Sequence, residues 1–174
     1  MTYLLSVPPE VEVIITKLQL PLFSKKDLNI TYRALNHYQT KGLIIDKRSG
    51  TKLWRKFNGI EYVWINIISQ LRIVGVRLED LNTLEKRIFI EGKLGYVDKA
   101  NFINRSFTHE IAFSIYGNYK LYMILFPDMS FTFHDSQTSQ QWLNVSYKDE
   151  VHISIPVHEP IREVWKGIKQ KLNG

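Results

Sequence analysis

The 174-residue chain contains no cysteine. Disulfides, thiolate metal sites, cysteine nucleophiles and thiol redox sensing are thereby excluded, and the composition suits a reducing cytoplasm. Long apolar runs are also missing. Stretches such as Val63–Ile68, which Asn66 interrupts, fall far short of the roughly 20 residues that span a bilayer, so no membrane association is expected. Met1–Leu20 has no basic start and carries Glu10 and Glu12, unlike a signal peptide. Catalytic signatures are equally scarce. No glycine-rich phosphate loop, dinucleotide fingerprint, nucleophile elbow or paired-histidine zinc helix is present.

Four histidines (His109, His134, His152 and His158) fall in the second half, three of them beside Glu110, Asp135 and Glu159. Their spacing matches no metal-binding pattern, so they are read as solvent-facing strand and loop residues. Asp135 and the Asp149-Glu150 pair read as surface carboxylates. No enzyme activity, cofactor or metal is expected.

What remains is ordinary in bulk and uneven in detail. Apolar residues make up 44% and charged residues 23%, which excludes a collagenous or wholly disordered chain. The length suits one moderate domain or two small ones. The net charge is +6. Ser24–Asn58 carries Lys25, Lys26, Arg33, Lys41, Lys47, Arg48, Lys52, Arg55 and Lys56 against only Asp27 and Asp46. That single stretch exceeds the excess of the whole chain. Such a concentrated positive field captures polyanions.

Along the chain, Tyr3–Leu20 is ambiguous: Pro8-Pro9-Glu10 can open a helix, while Val11, Val13 and Ile15 alternate like a strand. Ser24 with Asp27 predicts a capped, very short helix through Leu28. Thr31 caps a second helix with Ala34, Leu35 and Tyr38 inward, closed by Gly42 in a left-handed conformation. Asp46–Lys52 is a turn-rich basic loop, read as the tip of a small hairpin or wing. Leu53–Phe57 follows. Trp54 and Phe57 are read as packing the wing onto the helices, not as base-stacking residues.

Asn58 caps a long amphipathic helix from about Gly59 to Val74, broken by Gly75, and Leu78–Leu81 starts another short helix. In the second half, Ile111–Tyr116 and Lys120–Phe126 read as extended runs joined at Gly117-Asn118. Pro127-Asp128 turns the chain into a further extended run, Ser130–His134. Val151, Ile153, Ile155 and Val157 alternate as a half-buried edge strand. Ile161, Val164, Trp165, Ile168 and Leu172 mark a C-terminal amphipathic helix. The aromatics Tyr116, Tyr119, Tyr122, Phe126, Phe131 and Phe133 are read as core.

Two short helices, a basic hairpin and a longer supporting helix compose a winged helix-turn-helix. Asn29–Leu81 resembles the DNA-binding domain of the MerR family of transcription regulators. The resemblance rests on Ile30–Ile44, on Trp54-Arg55-Lys56-Phe57 in place of that family's Tyr-Arg-x-Tyr, and on Leu71-Arg72-Ile73-Val74-Gly75-Val76-Arg77-Leu78. It implies that Tyr32, Arg33, Asn36 and His37 face the major groove. Arg55 would hold a backbone phosphate, Lys47, Arg48 and Lys52 would grip neighbouring sugar-phosphate, and Lys56 completes the basic set. The chain departs from the family in its very short first helix, in Asn36 where arginine is common, and in lacking a long dimerising coiled coil after Leu81.

The expected architecture is α+β: an N-terminal segment (1–21), a winged helix-turn-helix (22–85), and a small antiparallel sheet with a packed C-terminal helix (86–174). The expected partners are double-stranded DNA, a second copy of the chain, and a small-molecule or protein effector at the C-terminal part. Alternatives are an excisionase-like architectural factor and a ligand- or protein-binding module that keeps the winged fold without touching DNA.

Overall fold

The computed structural model describes residues 7–45, 54–89, 106–135 and 151–173. Among them are six α-helices and a three-stranded antiparallel sheet, the mixed α+β composition expected. The ambiguous N-terminal segment is helical. Helix α1 (Pro9–Leu18) starts on Pro9, whose missing N–H is no loss in a first turn. It buries Val11, Ile14 and Leu18, a set at helical spacing. Val13, the middle of the apparent strand alternation, is 52% exposed.

Ser24 and Asp27 close the anticipated box. The Asp27 carboxylate accepts from the Ser24 backbone N–H at 2.6 Å and from its hydroxyl at 2.9 Å, and one 3-10 turn, Lys25–Asp27, follows. Helix α2 spans Tyr32–Thr40. Helix α3, Gly59–Ile73, is capped as predicted, Asn58 Oδ1 accepting from Glu61 N–H and Glu61 Oε2 from Asn58 N–H. It is the central element, burying Ile60, Tyr62, Val63, Trp64, Ile65, Ile67, Ile68 and Leu71. Burial all round requires neighbours on every side, and Gly59 permits the closest. A methyl group there would lie 2.8 Å from Leu18 Cδ2 and 2.9 Å from Val164 Cγ1. Helix α4, Leu78–Phe89, is longer than its opening residues suggested.

The second half corrects one expectation. Ile111–Tyr116 is not extended but belongs to helix α5, Phe107–Gly117. Phe107, Glu110, Ile111 and Ser114 are buried together, a helical stripe that begins upstream of the run mistaken for a strand. Gly117-Asn118 is accordingly the end of a helix, with Asn118 left-handed at φ 49°. Helix α5 packs extensively on α1, and that tertiary contact overrides the strand preference of an Ile/Phe/Tyr sequence.

Strands β1 (Leu121–Leu125), β2 (Phe131–Asp135) and β3 (Ile153–Pro156) form the sheet in the order β2-β1-β3. Met123 lies opposite both Phe133 and Ile155. The Pro127-Asp128 turn is where it was anticipated, Asp128 Oδ1 accepting from the Ser130 N–H and hydroxyl at 2.9 and 2.6 Å. β3 is an edge strand, as its alternation implied.

Helix α6, His158–Asn173, buries Ile161, Val164 and Ile168 against α3 and α5. Leu172, at its far end, is largely exposed. One continuous hydrophobic cluster joins α1, α3, α5, α6 and the sheet, crossing all three segments marked out from the sequence. Of the aromatics expected in the core, Phe131 lies in this cluster and Tyr119 and Phe133 pack against it, whereas Tyr122 and Phe126 are outside it and Tyr116 is half exposed.

Candidate nucleic-acid interface

Helix α2 is fixed in rotation by three local devices. Thr31 Oγ1 accepts from the Ala34 N–H at 3.1 Å, Leu35 and Tyr38 are buried, and Gly42 turns the chain at φ 78°. Just beyond, the Trp64 indole N–H donates to the Leu43 carbonyl at 3.0 Å in the core, tying the end of α2 to α3. With that side held down, Tyr32, Arg33, Asn36, His37 and Thr40 all face outward. Tyr32 is 49% exposed.

The extended residues 54–58 lie alongside. Phe57 is buried and pairs with Phe23 in an isolated antiparallel bridge, its N–H donating to Phe23 O at 2.8 Å and its carbonyl accepting at 3.0 Å. Side chains of an extended strand alternate. With Phe57 inward, Arg55 shares its side, partly covered, while Lys56 and Trp54 face away and are exposed. Trp54, expected to pack against the helices, is 78% exposed. Its separation from Phe57 is three residues, an odd number, so both cannot enter one core. That signal was available in the sequence.

Arg55 closes the arrangement. Its Nη1 donates to Asn36 Oδ1 at 2.8 Å, bridging the extended segment and the outer face of α2. Asn36 keeps its amide N–H2 group on the outer face of α2 that it shares with Arg33 and His37. Lys47, Arg48 and Lys52 lie outside the described residues. Arg55 and Asn36 are thus brought together from two separate elements, with Arg33 on the same face of α2, while Lys56 points to the other side of the extended segment. Tyr32 and His37 flank them on α2.

The acid that accompanies this basic stretch is engaged elsewhere. Asp27 Oδ1 accepts from Lys171 Nζ of α6 at 3.0 Å. Partial burial opposes its ionisation, but the Ser24 and Lys171 bonds prevail and hold its carboxyl below the usual range.

Comparison with protein-family models, with characterised proteins and with solved structures finds no match to this chain.

Other chemistry-bearing side chains are dispersed. Among the described residues no three of His, Asp or Glu converge on a common point. Two of the histidines expected on strands or loops are helical: His109 in α5 pairs with Ser106 Oγ at 2.8 Å, and His158 opens α6. His158 is buried, its Nδ1 3.2 Å from the Leu121 carbonyl and its Nε2 3.3 Å from Glu159. Asp149 and Glu150 lie outside the described residues. No helix among them is long and apolar enough to cross a membrane.

Proposed function

We propose that the protein is a sequence-specific double-stranded-DNA-binding regulator built on a MerR-like winged helix-turn-helix. Helix α2 enters the major groove and the basic 46–56 segment grips the phosphate backbone. The observation that carries this reading is the Arg55–Asn36 hydrogen bond. It ties a cation of the extended segment to the one outward side chain of α2 best suited to adenine. A face merely solvated has no need of such a link between two elements nineteen residues apart in sequence.

In the complex, Arg33 offers its fork to guanine and Asn36 its amide to adenine, each good bidentate contact supplying about 1–3 kcal/mol of discrimination. Arg55, Lys56 and the cations of the loop neutralise phosphates, which sets register without reading sequence. The sheet and α6 dimerise the protein, bind an effector, or both.

Selection of bound duplexes from a random library tests the reading. The expected result is an enriched motif, palindromic if a dimer binds, with an affinity that falls steeply with salt. No enrichment, together with retardation of random duplexes that is absent or indifferent to salt, would return the chain to the class of interaction modules without DNA contact.

A further inference from the structure

Beside the junction of α2 and α3 lies a cavity of about 280 Å³, walled by α3, α4 and the start of α5. Its apolar lining includes Leu43, Ile60, Trp64 and Phe89, and its polar lining includes Glu61 and Glu85. The volume approaches the lower end of small-molecule sites, which run from roughly 300 Å³ upward. Trp64 and Phe89 meet edge-on with ring centroids 5.6 Å apart, an aromatic corner of fixed shape. The one strong donor of that corner, the Trp64 N–H, is already committed to the Leu43 carbonyl.

The two carboxylates are the charged groups of the lining. Glu61 keeps one oxygen on the Asn58 N–H at the helix start. Glu85 is partly buried and, among the described residues, makes no hydrogen bond or ion pair. Burial pushes its carboxyl upward, only partly offset by neighbouring Lys86, the response of a carboxylate short of a counter-charge. An anionic ligand would face two like charges here, whereas a cationic one would meet carboxylates of opposite charge.

We propose that this cavity binds a small organic cation, an amine whose apolar body packs between Ile60, Trp64 and Phe89 and whose ammonium group pairs with Glu85. Desolvation of the apolar body adds to the ion pair.

Three probes with one apolar body separate the contributions: phenylbutylamine, phenylbutanol and phenylbutyrate, titrated into the full chain in the absence of DNA. The Trp64 indole resonance in heteronuclear NMR reports the site. The amine is expected to bind about five- to tenfold more tightly than the alcohol, as suits a partly exposed ion pair, and the carboxylate to bind weakest. Glu85→Gln, at a position open enough to tolerate it, should leave the alcohol's affinity unchanged and bring the amine down to match. Equal binding of amine and alcohol, a preference that survives Glu85→Gln, or no saturable shift of Trp64 with any probe would overturn the assignment. None of these outcomes bears on nucleic-acid binding, which fails or stands on the duplex selection alone.

Discussion

Arg55 Nη1 lies 2.8 Å from Asn36 Oδ1, so the residue that follows the basic loop and the middle of helix α2 form one polar unit. The bond orients both partners. It fixes the plane of the Asn36 amide from one side and holds the guanidinium against the helix. Mutations at the two positions are therefore expected to differ in kind and to interact.

Asn36→Ala should relax preference at one base position, at a cost of about 1–3 kcal/mol for the favoured duplex and little for others. Arg55→Ala should weaken every duplex, lower the salt-dependence slope by about one, and partly relax preference at the Asn36 position because the amide loses its anchor. Because the residues touch, the double mutant should deviate from additivity by more than about 0.5 kcal/mol. Quantitative binding across a salt series measures all three, and an Arg55→Ala protein with unchanged affinity throughout would remove Arg55 from the interface.

Trp54 stands open to solvent beside this pair. Its replacement by alanine should alter folding stability by no more than about 0.5 kcal/mol, as for other surface positions, yet reduce duplex affinity. Acrylamide quenching gives an independent reading. The wild-type protein should lose a readily quenched fraction of tryptophan emission when duplex is added, and Trp54→Phe should lack that fraction from the start.

Gly59 is needed for closeness. In Gly59→Ala the new methyl would press on Leu18 Cδ2, Val164 Cγ1 and, at 3.3 Å, the Leu18 carbonyl. The backbone oxygen cannot rotate away, so the substitution should cost about 1–3 kcal/mol as an overpacked core site does. Urea unfolding should register this as a lower midpoint with an unchanged slope.

Asp27 should make stability sensitive to acid. Its carboxyl is held below the ordinary range in the folded chain, so the folded state binds its proton less readily than the unfolded one. The contribution is complete above the unfolded value of about 3.9 and is lost as pH falls through the lower folded value. Asp27→Asn should accordingly be less stable than wild type near neutrality, and the gap should close as pH falls below the lowered folded value. A gap that persisted unchanged into acid would mean the Ser24 and Lys171 bonds do not depend on the charge of Asp27.

Features written locally were legible. Thr31, Asn58 and the Ser24–Asp27 pair cap the elements they were expected to cap, because a cap is completed within three residues of itself. Gly42 takes positive φ for the same local reason. The Pro127-Asp128 turn also carried its own geometry, whereas only Ile153–Pro156 of the alternating 151–157 stretch is a strand and Val151 is 81% exposed. The Ile111–Tyr116 segment was illegible because its residues favour strands, while the decisive partner, helix α1, lies about a hundred residues earlier. Trp54 was legible and misread: period two excludes it from the core that takes Phe57.

The amino-acid order alone determined where α2, α3 and α4 begin, which faces of α2 and α3 are apolar, and that positive charge gathers in one stretch. Those properties arise from backbone bonds and side-chain spacing over a few residues. Only the folded chain decided that Arg55 meets Asn36, that α6 draws Asp27 away to Lys171, and that Trp64 and Phe89 meet edge to face beside a space edged by Glu61 and Glu85. Such meetings depend on how separate elements pack, and packing is set by the shape of the whole core, which no short window contains.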